Sequence, residues 1–122
     1  MIKKFSGVVT ILDSDGTIID SEVRSFQATE MAWHPTKIIL AVGWSTGLVS
    51  LWDGTSKDRR EVSEISNGDP ISQLIWSSPG GKRLVTGTES GDVKAWRTNG
   101  KTQLQRNPAW EFNLEGKINL HN

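Results

Sequence analysis

Two stretches of the chain repeat one another. Met31 to Trp52 reads MAWHPTKIILAVGWSTGLVSLW, and Leu74 to Trp96 reads LIWSSPGGKRLVTGTESGDVKAW. Trp33 and Trp76 are 43 residues apart; after one inserted residue, Pro35/Pro79, Leu40/Leu84, Gly43/Gly87, Gly47/Gly91, Val49/Val93 and Trp52/Trp96 are each 44 apart. Each copy holds an apolar segment ending at Trp, a Pro-containing turn, an apolar segment ending at Gly, a polar turn with Gly, and a strand ending at Trp. A period of this length filled by short strands is that of a propeller blade, a unit that must stack on its neighbours to bury its faces.

The local chemistry agrees with this reading. Pro lacks a backbone N–H and so belongs in the turn after Met31-Ala32-Trp33 and Leu74-Ile75-Trp76, not in a sheet ladder. The continuous apolar run Ile38 to Val42 predicts a strand covered on both faces. Thr46-Gly47 and Ser90-Gly91 predict tight turns in which Gly takes positive φ at little cost. In DVKAW, Val93, Lys94 and Ala95 alternate with the period of a strand.

The beginning of the chain falls into the same register. Gly7, Val9, Leu12 and Gly16 match Gly91, Val93, Trp96 and Gly100 at a spacing of 84. Asp15-Gly16 therefore falls where Asn99-Gly100 falls, and both dipeptides favour a two-residue hairpin turn. VVTILDSDGTIIDSE predicts the third strand of a blade, its turn, and a fourth strand from Thr17 to about Asp20.

The same stretch, Asp-x-Asp-Gly-Thr after an apolar run, is similar to the nucleophile signature of haloacid-dehalogenase-type phosphatases, with Asp13 as nucleophile. That chemistry needs a cation, further carboxylates and a Lys or Arg to hold phosphate. No adjacent acidic pair follows Asp20, and SEVRSFQATEMAW has no 3.6-residue apolar stripe for the helix that should come next. A calcium loop starting at Asp13 fails as well, because Ile18 and Arg24 stand where Gly and Glu are required.

Composition narrows the function classes. The chain has 122 residues, a formal net charge of zero, 35% apolar and 23% charged residues, six Trp and no Cys. It is one small domain or less, of ordinary globular composition. No apolar run reaches the roughly 20 residues of a membrane span, and no secretory leader follows Met1-Ile2-Lys3-Lys4. The basic residues are scattered or interrupted, so no nucleic-acid footprint is expected. Without Cys there is no disulfide, zinc-thiolate site or thiol nucleophile, and a reducing, cytoplasmic setting fits.

Both copies resemble WD40 repeats, Gly68 to Arg97 following that pattern closely. The first copy, through Trp-His-Pro-Thr, Ala-Val-Gly-Trp and Thr-Gly, is more specifically similar to the family of the N-terminal propeller of intraflagellar transport protein 140, a subunit of transport complex A. Weaker similarity runs from about Gly7 to Lys117. The resemblance implies an all-β partial WD40-type propeller of antiparallel four-stranded blades. It implies a non-catalytic scaffold without cofactor or metal, located at the cilium or ciliary base. Its partners would be other complex A subunits and membrane-protein cargo, in retrograde ciliary transport and cargo import. An adaptor of another assembly, such as a vesicle coat or a ubiquitin ligase, is the alternative, with the Asp13 phosphatase behind it. Departures from the pattern are plain. WD40 repeats link a turn Asp, a His, a Ser or Thr and the Trp by hydrogen bonds; here Thr46 and Ser90 replace that Asp, no Gly-His pair precedes either copy, and Trp-Asp survives once, at Trp52-Asp53. The blades are accordingly expected to rely on packing more than on that network.

A propeller closes with about 4–8 blades, and at about 44 residues each this chain supplies roughly two and a half. A piece of a longer protein is expected, with a ring of several copies as the alternative. The expected divisions are 1–26 as the end of one blade, 27–66 as the second, 70–106 as the third, and 107–122 as an outer strand and the start of the next. Trp33, Gly43, Gly47, Trp52, Trp76, Gly87, Gly91 and Trp96 are expected to be structural, since they recur in register. Trp44 does not recur, its counterpart being Thr88. With Ser45, Thr46, Glu89 and Ser90 it forms the candidate protein-interaction set, as an anchor for a partner or, alternatively, packed on the adjacent blade. His34 is read as a turn side chain at a blade rim in preference to a base or metal ligand. SKDRRE (56–61) reads as a solvated loop, and Trp110 in NPAWEF as part of an outer strand.

Overall fold

The computed structural model describes residues 2–5, 7–55, 60–77, 80–97, 110–112 and 118–120. Strands β1 (Ile2–Phe5), β2 (Val8–Leu12) and β3 (Ile18–Val23) form one antiparallel sheet. A second holds β4 (Ala28–Trp33), β5 (Ile39–Trp44), β6 (Leu48–Asp53) and β7 (Arg60–Glu64) in that order. A third holds β8 (Ile71–Trp76), β9 (Arg83–Thr88), β10 (Val93–Arg97), β11 (Trp110–Phe112) and β12 (Ile118–Leu120). The described residues contain no helix. The architecture is all-β, a run of propeller blades whose first strands β4 and β8 lie side by side.

The strand β5 shows why its sequence is apolar throughout. Successive side chains point to opposite faces, and both faces are covered. Leu40, Val42 and Trp44 pack with Val9 and Ile11 of the first sheet. Ile39 and Ala41 pack with Ile71, Leu74 and Leu84 of the third. Each fully buried aliphatic side chain contributes about 1.5–3 kcal/mol, so both inter-sheet seams are substantial. Ile38, at the head of the apolar run, is exposed and precedes the strand.

Glycine sets two close approaches. Gly47 has φ +85°, closes the β5–β6 turn with its N–H on the Trp44 carbonyl at 3.1 Å, and sits directly under Ser66. A Cβ at Gly43 would stand 2.5 Å from the Ile71 side chain, so its absence lets the second and third sheets meet.

Three expectations are corrected. The β2–β3 connection is not a two-residue turn: Ile18 pairs with Leu12, and Asp13 to Thr17 form a longer loop with a bulge beside Ile11 and Leu12. Asp13 organises it, its Oδ1 accepting the N–H groups of Asp15 and Thr17, each at 2.9 Å, while Gly16 takes φ +84°. The strand after it runs to Val23, past the expected end near Asp20. Residues 118–120 do not open a further blade; β12 pairs antiparallel with β11 as a fifth strand of the third sheet. Pro79, Asn99-Gly100, Asn107-Pro108, His121 and most of 56–61 lie outside the described residues.

Candidate functional site

Loops gather at two rims. One carries the connections 24–27, 45–47, 65–70 and 89–92; the other carries 13–17, 34–38, 53–55, 77 and 80–82. The candidate interaction set lies on the first. There the Ser45 N–H donates to the Gln27 carbonyl at 2.8 Å, the Gly68 N–H to the Thr46 carbonyl at 3.0 Å, and the Glu89 N–H to the Pro70 carbonyl at 3.0 Å. Each turn is thus tied to the loop that enters a blade. Ser45 and Thr46 are half-buried, while Glu89 and Ser90 are exposed. Thr46 Oγ1 is enclosed without a hydrogen-bond partner among the described residues.

Trp44 belongs elsewhere. It is 0% exposed, so its ring cannot be offered to a partner, and the anchor reading gives way to packing on the adjacent blade. Its indole N–H donates to Ser50 Oγ at 3.0 Å, and the Ser50 hydroxyl donates to Glu22 Oε1 at 2.9 Å. Glu22 Oε2 accepts from Arg24 Nε at 2.8 Å and pairs with Arg24 Nη2 at 2.7 Å. The guanidinium then returns over the Trp44 ring, 5.4 Å from its centroid, with Phe26 edge-on at 5.7 Å. This circuit joins the first two sheets. A second joint lies beside it, where the Trp52 indole donates to Asp20 Oδ2 at 2.6 Å.

The third sheet keeps part of the WD40 network and inverts the rest. Trp96 donates to Thr86 Oγ1 at 3.0 Å, the Trp-to-hydroxyl link the pattern requires. Where a Gly-His pair would stand, the chain has Gly68-Asp69, and where the turn Asp would stand, Ser90. The Ser90 hydroxyl donates to Asp69 Oδ2, and its N–H to Oδ1 at 3.3 Å. Acid and donor have exchanged places across the same gap. The Ser90 hydroxyl, with help from Thr88, the Ser90 N–H and the Lys94 charge, holds the Asp69 carboxyl below its ordinary range against partial desolvation. Polar links therefore contribute more than the sequence suggested.

On the opposite rim, His34 is buried and bridges two blades. Its Nδ1 accepts the N–H groups of Thr36 and Lys37, each at 3.1 Å, so Nε2 carries the hydrogen and donates to the Gly81 carbonyl at 2.9 Å. Its ring packs against Trp76, with centroids 4.8 Å apart, and Trp76 donates to the Ala32 carbonyl at 3.1 Å. Both ring nitrogens are thus engaged. Trp33 is 41% exposed and meets Trp52 edge-on at 6.3 Å. Gly87 lies against Gln73, and Gly91 takes φ +96°.

Sequence reasoning missed Asp20, Glu22, Arg24 and Asp69. The signal for the first three was the alternation Asp20-x-Glu22-x-Arg24, which in a strand puts three charges on one face. Asp13 lacks the setting of a phosphatase nucleophile: its carboxylate caps its own loop, and a strand follows where a helix would be needed. No group of three or more metal-ligating side chains occurs among the described residues.

The chain matches the family described as IFT140 first beta-propeller over residues 2–121. It is 36% identical over 67 residues to anaphase-promoting complex subunit cdh1 of Dictyostelium discoideum. That match covers 55% of this chain and 9% of the relative, so the chain spans a small part of it. Among solved structures it superposes on a chain of the mitotic checkpoint complex with a TM-score of 0.71 at 17% identity, covering 89% of this chain and 34% of the other, which shows the fold alone. With the repeat, the stacked antiparallel sheets and a match along almost its whole length, the chain belongs to the IFT140 first beta-propeller family of WD40-type propellers.

Proposed function

We propose that this propeller segment acts as a structural subunit of an intraflagellar transport complex A, serving retrograde transport along ciliary microtubules and import of membrane-protein cargo. The family match over residues 2–121 carries the reading. The physical basis is rigidity. Blades bolted together by the Trp44–Ser50–Glu22–Arg24 circuit and by His34 hold loop residues in fixed positions for partners. Ser45, Thr46, Glu89 and Ser90 remain the proposed contacts on the first rim. Ciliary and cytoplasmic location belongs to the same proposal.

The test is affinity purification of the tagged full-length protein from ciliated cells. Recovery of complex A subunits, enrichment at the ciliary base, and cargo stalled at ciliary tips on depletion are expected. A second reading has one observation in its favour, the similarity to an anaphase-promoting complex subunit. Recovery of ubiquitin-ligase subunits in place of transport subunits would establish it instead.

A further inference from the structure

A groove of about 410 Å³ opens between the ends of the inner strands β4 and β8, on the rim of His34, away from the proposed loop contacts. Ala32, Trp33, Pro35, Leu74, Ile75 and Trp76 line it. Its apolar walls reach solvent, since Trp33 is 41% and Ile75 54% exposed. The volume is that of a site that takes one bulky side chain with its flanking backbone, within the roughly 300–1,000 Å³ of ligand clefts. The floor is stiff, because the Trp76-to-Ala32 and His34-to-Gly81 bonds tie its two sides together.

The two segments that border it carry charge of one sign, and Asp53 lies on the next loop of the rim, whose Gly54 N–H donates to the Ile38 carbonyl at 2.9 Å. The segments bordering the groove, 34–38 and 80–82 with the first residue of β9, carry Lys37, Lys82 and Arg83, all exposed. None of the three is in an ion pair among the described residues. No acidic residue occurs between Glu30 and Asp53 or between Asp69 and Glu89, so no carboxylate on these segments offsets them.

We infer that this groove binds an extended acidic peptide segment of a partner protein, seating one large apolar side chain between Trp33 and Ile75 while flanking carboxylates meet Lys37, Lys82 and Arg83. The apolar walls supply burial, and the cationic border supplies selectivity and faster association. The inference rests on the reading of this chain as an interaction scaffold and adds a partner chemistry and a place.

The experiment is fluorescence anisotropy of the whole chain with labelled synthetic peptides. One has a central Leu flanked by glutamates, one the same Leu flanked by lysines, and one a central Ala flanked by glutamates. The acidic Leu peptide is expected to bind saturably, about tenfold tighter than the lysine peptide, and more weakly as salt rises. The double variant Lys82→Glu/Arg83→Glu, exposed at both positions, should reverse the charge preference with an unchanged thermal melt. Trp33→Ala and the central-Ala peptide should each weaken binding. Equal affinity for the acidic and basic peptides, or an unmoved preference in the double variant, overturns the inference. Transport-complex recovery without peptide binding overturns this groove alone; peptide binding without that recovery overturns the assembly reading alone.

Discussion

Glu22 of the first sheet and Ser50 of the second are joined by a 2.9 Å hydrogen bond buried at the seam between them. The bond matters through what lies on either side. Ser50 also accepts the Trp44 indole N–H, and Glu22 also holds Arg24, which lies over the Trp44 ring. A carboxylate buried in this way persists because each oxygen has a donor.

Removing the carboxylate should therefore harm the seam more than neutralising it. Glu22→Ala leaves Ser50 without its acceptor and Arg24 without its counter-charge, at a cost of about 3–5 kcal/mol. Glu22→Gln keeps an acceptor oxygen and the shape, and should cost about half of that. Urea denaturation should rank native, Gln and Ala in that order. Equal losses for the two variants would mean that side-chain packing, and not the charge, sets the seam.

Two glycines separate backbone strain from crowding. Gly16 and Gly47 have nearly the same φ, +84° and +85°. A Cβ at Gly16 meets nothing within 4 Å, whereas at Gly47 it runs into the Ser66 carbonyl. Gly16→Ala should cost about 1–2 kcal/mol, the penalty of a left-handed backbone alone. Gly47→Ala should cost at least about twice as much, because the β5–β6 turn must move off the loop entering β8. Thermal melts of the two variants side by side measure the difference.

What the repeat made legible is the lattice of positions, and what it left dark is the pairing between blades. The 44-residue period located the turns at Gly47 and Gly91 and the double-faced strand β5, since these follow from local chemistry and alternation. The partners of Trp44 and Trp52 lie 22 and 32 positions earlier, at Glu22 and Asp20, one through Ser50 and one directly. Alternation says which face a residue takes and not which sheet covers it. Trp44 was open to two readings for that reason: nothing in its own turn indicates that Arg24 and Phe26 close over it. Likewise Ile118–Leu120 carries the apolar pattern of any strand, and only its pairing with β11 assigns it to the third sheet.

The exchanged acid and donor at Asp69 and Ser90 give a pH signature. The folded carboxyl titrates below the ordinary range of an aspartate, so its bonds stabilise the fold above that range and lose their effect as pH falls through the lower folded value. Asp69→Asn should then be less stable than the native chain near neutrality, and the gap should close as pH falls below about 4. Chemical denaturation at a series of pH values checks this. A gap that stays constant or widens toward low pH would show that Asp69 contributes through shape and not charge.

His34 is the last joint, and its chemistry separates a structural from a reactive histidine. Its Nδ1 faces two backbone N–H groups and its Nε2 faces the Gly81 carbonyl, an arrangement that admits only the tautomer with hydrogen on Nε2. Nitrogen-15 spectra of the side chain should show a pyridine-type Nδ1 and a pyrrole-type Nε2 near neutral pH; the reverse pattern would contradict the bridge. Gly81 approaches closely enough that an added Cβ would stand 2.5 Å from Nε2, at φ +65°. Gly81→Ala should therefore push the loop off the ring and, like His34→Ala, destabilise the fold, by about 1–3 kcal/mol for the lost buried bonds. Because both variants break the same bridge, the double variant should cost less than the sum of the single ones. Strict additivity in urea denaturation would mean that His34 and Gly81 contribute separately and that the second and third blades are held by their apolar seam and the Trp76-to-Ala32 bond without this bridge.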